Sequence, residues 1–68
     1  MSTIRVNGAA RPLPAPDATL ACLVREMGLE GKRIAVERNG EVVPRSLYPQ
    51  TRLVSGDRIE IVGAVGGG

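Results

Sequence analysis

The residues best suited to chemistry are the last six of 68, Gly63-Ala64-Val65-Gly66-Gly67-Gly68. A strand pattern runs into them and the sequence closes on three glycines. Fully extended, Gly66-Gly67-Gly68 spans roughly 10 Å. Lacking Cβ atoms, such a segment passes through a slot too narrow for other residues and presents a carboxyl group at its tip. A carboxylate is a poor electrophile. It becomes reactive once coupled to a leaving group by chemistry on another protein. On this reading Gly66 and Gly67 thread and Gly68 presents the carboxylate. Small-residue chain ends are also commonly just frayed, so the remainder of the chain has to decide.

Composition removes most other chemistries. There is no histidine, the commonest general base and metal ligand. The sequence shows no paired carboxylates in an evident cleft and no glycine-rich phosphate loop ahead of a helix. The expectation is therefore a protein that is not an enzyme, with no metal and no bound cofactor. A lone cysteine, Cys22, cannot form an internal disulfide. It lies roughly 200° around the helical wheel from Leu20, away from the apolar stripe. A sulfur-handling thiol is one reading; without a histidine or a CxxC partner, an incidental small residue is the preferred one. No export signal and no apolar run near about 18 residues is present, so a soluble, cytoplasmic protein is expected. The net charge of +2 comes from eight arginines and one lysine interleaved with acids, alongside a single Tyr and no Phe or Trp. Nucleic-acid binding favours a clustered basic face or stacking aromatics, and neither is visible.

These totals fit one domain, residues 1–68 with a tail at 64–68. The chain alternates over Thr3 to Asn7, with Ile4 and Val6 on one face. Asn7-Gly8 is a hairpin signal, and Ala9 to Leu13 returns as an edge strand or strand end because Pro12 lacks a donor. Asp17 is placed to cap a helix whose stripe is Leu20, Leu23, Val24 and Met27. Gly28 sits where a left-handed residue would end it. Glu30-Gly31-Lys32 is a loop. Arg33 to Arg38 alternates with Ile34 and Val36 inward, Asn39-Gly40 turns, and Val42-Val43 returns until Pro44. Arg45 to Arg52 reads as a loop with one tight helical turn anchored by Leu47 and Tyr48, and Leu53 anchors its end. Ser55-Gly56-Asp57 is a turn. Arg58 to Val65 is the last strand, with Ile59 and Ile61 on one face.

The order ββ, α, ββ, turn, β leaves one helix to cover the sheet. The expected fold is α+β: a mixed sheet of about five strands under one helix, with a flexible C-terminal glycine tail. With the first and last strands parallel at the centre, this is the ubiquitin-like β-grasp.

At this point the chain resembles the prokaryotic β-grasp sulfur carriers, and among them the ThiS family of thiamine biosynthesis. The matching stretches are Asn7-Gly8 after the first strand, LACLVREMGL from Leu20, IAVERNGEVVPRSLY from Ile34, and LVSGDRIEIVGAVGGG from Leu53. Together they cover nearly the whole chain. The tail departs slightly, with a third glycine before the final pair and Gly63 where a larger residue would fit. The resemblance implies a carrier acting as cosubstrate. A ThiF-type, E1-like adenylyltransferase uses Mg and ATP to adenylate the Gly68 carboxylate. A sulfur donor such as a cysteine desulfurase then converts the adenylate to a thiocarboxylate. Thiazole synthase of the ThiG type takes that sulfur for the thiazole ring. No nucleic acid and no membrane enter this scheme.

Partner contact is expected on the sheet face the helix leaves bare. Val62 and Ala64 fall on the Arg58–Glu60 side of the last strand. They form either an outward docking patch or part of a central strand buried on both faces. Arg58 and Arg45 are candidates for pairing with acidic groups on a partner, exposed arginines being the ordinary alternative. Two other roles share the fold and the Gly-Gly end: sulfur carrier for molybdopterin synthesis, as the small subunit of its synthase, and ubiquitin-like protein modifier. Lys32 as the sole lysine argues against self-linked chains. A β-grasp binding module with an idle tail is the remaining alternative.

Overall fold

A computed structural model describes residues 2–63. Within them, β1 (Thr3–Val6) and β2 (Ala9–Pro12) form a hairpin, followed by helix α1 (Leu20–Glu26). A second hairpin, β3 (Ile34–Arg38) and β4 (Glu41–Val43), leads into a 3-10 helix (Arg45–Gln50) and then β5 (Arg58–Gly63). The sheet order is β2-β1-β5-β3-β4. β1 and β5 are parallel and every other pairing is antiparallel. The expected mixed five-stranded sheet with parallel first and last strands at its centre is therefore what forms.

Both Asn-Gly turns have the backbone their residues favour. Asn7 and Gly8 have φ of 52° and 84°, and Asn39 and Gly40 have 53° and 90°. Pro12 ends β2, which lies at the sheet edge where a missing donor costs nothing.

Helix α1 spans only seven residues, too few to be stable alone. Packing holds it. Leu20 and Leu23 are fully buried and Val24 nearly so, against Ile4, Val6, Val36, Tyr48, Leu53 and Ile59. Each such side chain contributes roughly 1.5–3 kcal/mol. Met27, at the helix end, is only partly buried. The C-terminus is a Schellman motif. Gly28 takes φ of 74° and donates to the Arg25 carbonyl, and Leu29 donates to that of Val24.

The N-terminus differs from expectation. Asp17 is not the cap. Ala18 is buried, donates to the Ala15 carbonyl and accepts from the Leu53 N–H, which holds the chain in a turn two residues longer. Thr19 caps instead, its hydroxyl accepting from the Cys22 N–H at 3.3 Å. Leu47 is a second correction. The 3-10 helix runs six residues, and three residues per turn put Arg45, Tyr48 and Thr51 on one side. Tyr48 is thus buried while Leu47, a third of a turn away, is exposed. Leu53 is buried as expected.

β5 begins at a buried carboxylate the sequence reading treated only as part of a turn. Asp57 accepts from the Val54 N–H at 2.8 Å, from the Arg38 guanidinium at 3.0 Å and 3.4 Å, and from the Asn39 amide at 3.0 Å. The cluster ties the β3–β4 turn to the start of β5. Burial alone raises the carboxyl's pKa, but the Val54 N–H, Asn39 and Arg38 outweigh it and hold it below the usual value.

Two outcomes follow for stability. Leu23→Ala is expected to cost about 2–5 kcal/mol in chemical denaturation; a loss below about half a kcal/mol contradicts the packing described. For Asp57, a pKa lowered by folding gives stability that is complete above the unfolded value of about 3.9 and is lost as pH falls through the folded value. Asp57→Asn is expected to cost on the order of 1–3 kcal/mol at neutral pH, and the gap to the parent chain narrows as pH drops below about 4. A gap that is constant across that range contradicts the cluster's role.

Candidate functional site

Of the residues singled out for chemistry, Gly66, Gly67 and Gly68, together with Ala64, lie outside the described residues. The structure does describe the element that delivers them. β5 is the central strand and Gly63 is its last described residue.

β5 is held along both edges. On one side β3 pairs with it over five residues, from Ile34↔Gly63 to Arg38↔Ile59. On the other, β1 pairs over only two, Arg5↔Arg58 and Val6↔Ile59. The Asn7 N–H then donates to the Ile59 carbonyl as the chain turns away. Its side chain continues the ladder that the backbone has left. The amide oxygen accepts from the Ile61 N–H at 2.7 Å and the amide nitrogen donates to the Ile61 carbonyl at 3.2 Å. Asn39 does the same at the strand's start, accepting from the Arg58 N–H at 2.9 Å while its own N–H donates to the Arg58 carbonyl. The hairpin asparagines are thus clamps on β5 as well as turn residues. Sequence reasoning missed that role. The signal was the repeated Asn-Gly pair, because an asparagine in the left-handed region can turn its short amide back toward neighbouring backbone.

The two faces of β5 differ. Ile59 is buried and Ile61 partly so, under α1. Arg58, Glu60 and Val62 are exposed on the other face, and Val62 keeps 59% of its surface. Of the two readings for Val62, the outward one holds: the strand is central, yet one face of it meets solvent. Exposed Ala35 lies directly across from Val62 on β3, and exposed Val42 sits on β4 beside Glu37. This gives a small apolar area at the end of the sheet toward which β5 runs. A shallow concavity of about 550 Å³ lies over Glu37, Asn39, Gly40, Arg58, Glu60 and Val62.

Gly63 has a different standing from the other described glycines. Gly8, Gly28, Gly31, Gly40 and Gly56 all have positive φ, so their turns require them. Gly63 does not, and a Cβ built there meets nothing within 4 Å. Among the described residues nothing requires glycine at that place.

Arg45 projects elsewhere, donating to the Lys32 carbonyl at 3.2 Å. Cys22 is exposed on α1. The Thr19 hydroxyl lies 3.5 Å from its sulfur and, with the Thr19 backbone and nearby Arg25, lowers the thiol's pKa. It lies on the helix side, away from Val62. Among the described residues no group of three or more His, Cys, Asp or Glu side chains is arranged to hold a metal, and no helix is long and apolar enough to cross a membrane.

Comparison with known proteins agrees with this geometry. The model of the ThiS family matches residues 4–68. The chain is 35% identical over 65 residues to the sulfur carrier protein ThiS of Bacillus subtilis, covering 96% of this chain and 98% of that one. It is 43% identical over 63 residues to a thiazole synthase of Paramagnetospirillum magneticum, covering 93% of this chain and 19% of that protein's length. The crystal structure of a thiamine biosynthesis protein, ThiS, from Geobacter metallireducens superposes with a TM-score of 0.82 at 28% identity, covering 97% of this chain and 99% of that one. The chain belongs to the ThiS family of sulfur carrier proteins.

Proposed function

We propose that the chain carries sulfur for thiazole formation in thiamine biosynthesis, as a cosubstrate whose working group is the Gly68 carboxylate. The observation that carries the reading is β5: a strand fixed in register on both edges that leads by sequence into Ala64-Val65-Gly66-Gly67-Gly68. In the first step a carboxylate oxygen attacks the α-phosphorus of Mg-bound ATP on a ThiF-type adenylyltransferase, and pyrophosphate leaves. In the second, a persulfide sulfur on a donor such as a cysteine desulfurase attacks the acyl carbon and AMP leaves; a donor-side thiol then cleaves the acyl disulfide, leaving a thiocarboxylate on the chain and a disulfide on the donor. The soft terminal sulfur then passes to a ThiG-type thiazole synthase. The match to a protein named thiazole synthase supports this acceptor over a molybdopterin precursor or a protein lysine.

The chain's own part is to be held and to be thin. Docking on the bare sheet face, through Val62, Ala64 and Arg58, places the tail, while Gly66 and Gly67 admit it to the nucleotide site. Gly63 is a further glycine, in β5, separated from the tail glycines by Ala64 and Val65. The fold does not need it, so its value lies in a partner that encloses the strand end closely.

Adenylation is read by ATP–pyrophosphate exchange with the adenylyltransferase. The full chain is expected to stimulate exchange, and deletion of Gly68 to abolish it with the melting temperature unchanged; exchange that persists without Gly68 contradicts the proposal. Gly63→Val is expected to keep or raise stability, by up to about 1 kcal/mol, while slowing exchange at least tenfold. Undiminished exchange would show that the enclosed segment begins after Gly63.

A further inference from the structure

The bare sheet face carries its charges in rows. Strand register sets Arg5 of β1 directly beside Arg58 of β5, both exposed. One step further along β5, Glu60 lies directly beside Glu37 of β3. The next step is apolar, Val62 beside Ala35. Arg58, Glu60 and Val62 alternate with the inward Ile59 and Ile61, so all three rows share one face.

Like charges directly opposite each other on neighbouring strands are unfavourable. Among the described residues, none of Arg5, Arg58, Glu37 and Glu60 is in an ion pair; the pairs present are Arg11–Glu26, Arg25–Glu30 and Arg38–Asp57. Arg5 spends one donor on the Gly8 carbonyl at 3.2 Å. Directly across the strands each of these charges faces its like, and opposite charges meet only on the diagonal, Arg58 with Glu37 and with Glu60 along β5. A partner with carboxylates over the arginine row and cations over the glutamate row relieves both rows.

We infer that this face docks a protein surface of matching polarity: an acidic patch over Arg5 and Arg58, a basic patch over Glu37 and Glu60, and an apolar contact on Val62 and Ala35. The inference deepens the proposed function and rests on its assignment of this face to docking. A second copy of the chain is the poorer occupant. A two-fold axis sets arginine row against glutamate row, but it then places the Val62–Ala35 row over the Thr3 end of the face, which is polar. The row order also carries direction, since the apolar row lies nearest the end of β5.

The test is calorimetric binding to the ThiF-type adenylyltransferase, with ATP and sulfur donor absent, at low and high salt. Arg5→Glu with Arg58→Glu is expected to weaken binding at least about tenfold, and so is Glu37→Lys with Glu60→Lys. Both losses are expected to shrink at high salt. The glutamine versions of both pairs give smaller losses of the same sign, and Arg25→Glu on the helix side leaves binding unchanged. Tighter or unchanged binding after the glutamate reversal overturns the inference, because a partner reading only positive charge behaves that way. Loss of binding by Arg25→Glu equal to that of the face variants also overturns it. So does a dimer in sedimentation that both reversals dissolve.

A second readout keeps folding separate from docking. Arg58→Glu alone relieves the repulsion from Arg5 but sets the new carboxylate beside Glu60 and diagonal to Glu37, so the melting temperature is expected to move by no more than about 2 °C while binding weakens. A large fall in melting temperature would show that the loss of binding reflects unfolding and overturns the docking argument. The proposed function fails differently. If both charged rows prove necessary for binding but no adenylation occurs, the docking inference stands and the sulfur chemistry does not. If adenylation proceeds untouched by either reversal, the reverse holds.

Discussion

The structure depends on the fixed position of β5. A central strand in a 68-residue domain must satisfy two ladders at once, and here the two are unequal. β3 supplies a full antiparallel partner, whereas β1 turns away after two residue pairs. The Asn7 side chain makes up the difference at Ile61, and Asn39 extends the β3 ladder to Arg58. Asp57 then fastens the Asn39 turn and the Arg38 side chain to the start of the strand. A slip of one residue would turn Ile59 and Ile61 out to solvent and Arg58 and Glu60 into the core. The same clamps that prevent the slip therefore fix which residues face solvent.

The rest of the fold answers to that strand. α1 is short and survives because Leu20, Leu23 and Val24 pack on the face formed by Ile4, Val6, Val36 and Ile59. The 3-10 helix adds Tyr48 to the same layer and returns the chain to Leu53. With one helix available, only one sheet face is covered. The other meets solvent, and it carries ordered charge with an apolar end. Core and proposed docking face are thus two sides of the same three strands, and alternate residues along β5 serve one or the other.

Much of this was legible in the sequence because period and turn chemistry are local. Alternation gave β1, β3 and β5, the apolar stripe gave α1, and Asn-Gly gave both hairpins. Side-chain to backbone capture over long separations was not legible. Nothing local marks Asn7 as the partner of Ile61, 54 residues away. Asp17 looked like a cap because it follows the prolines, but burial of Ala18 and its tie to Leu53 moved the helix start to Thr19. Leu47 looked like an anchor because it is apolar, and the three-residue turn put Tyr48 inward instead. Val62 had two readings that depended on whether anything covers the second sheet face. Only the three-dimensional layer arrangement decides that. The family itself was readable from the glycine end taken with the SGD-strand segment before it.

The central claim is that the globule is a holder and the chemistry occurs at its last residue. The most direct measurement is fragment-level mass spectrometry of the chain after incubation with the adenylyltransferase, Mg-ATP and a sulfur donor. The account predicts one oxygen replaced by sulfur, confined to the fragment that contains Gly68. Sulfur found on Cys22 with Gly68 unmodified, or no sulfur gained where adenylation is complete, would contradict it.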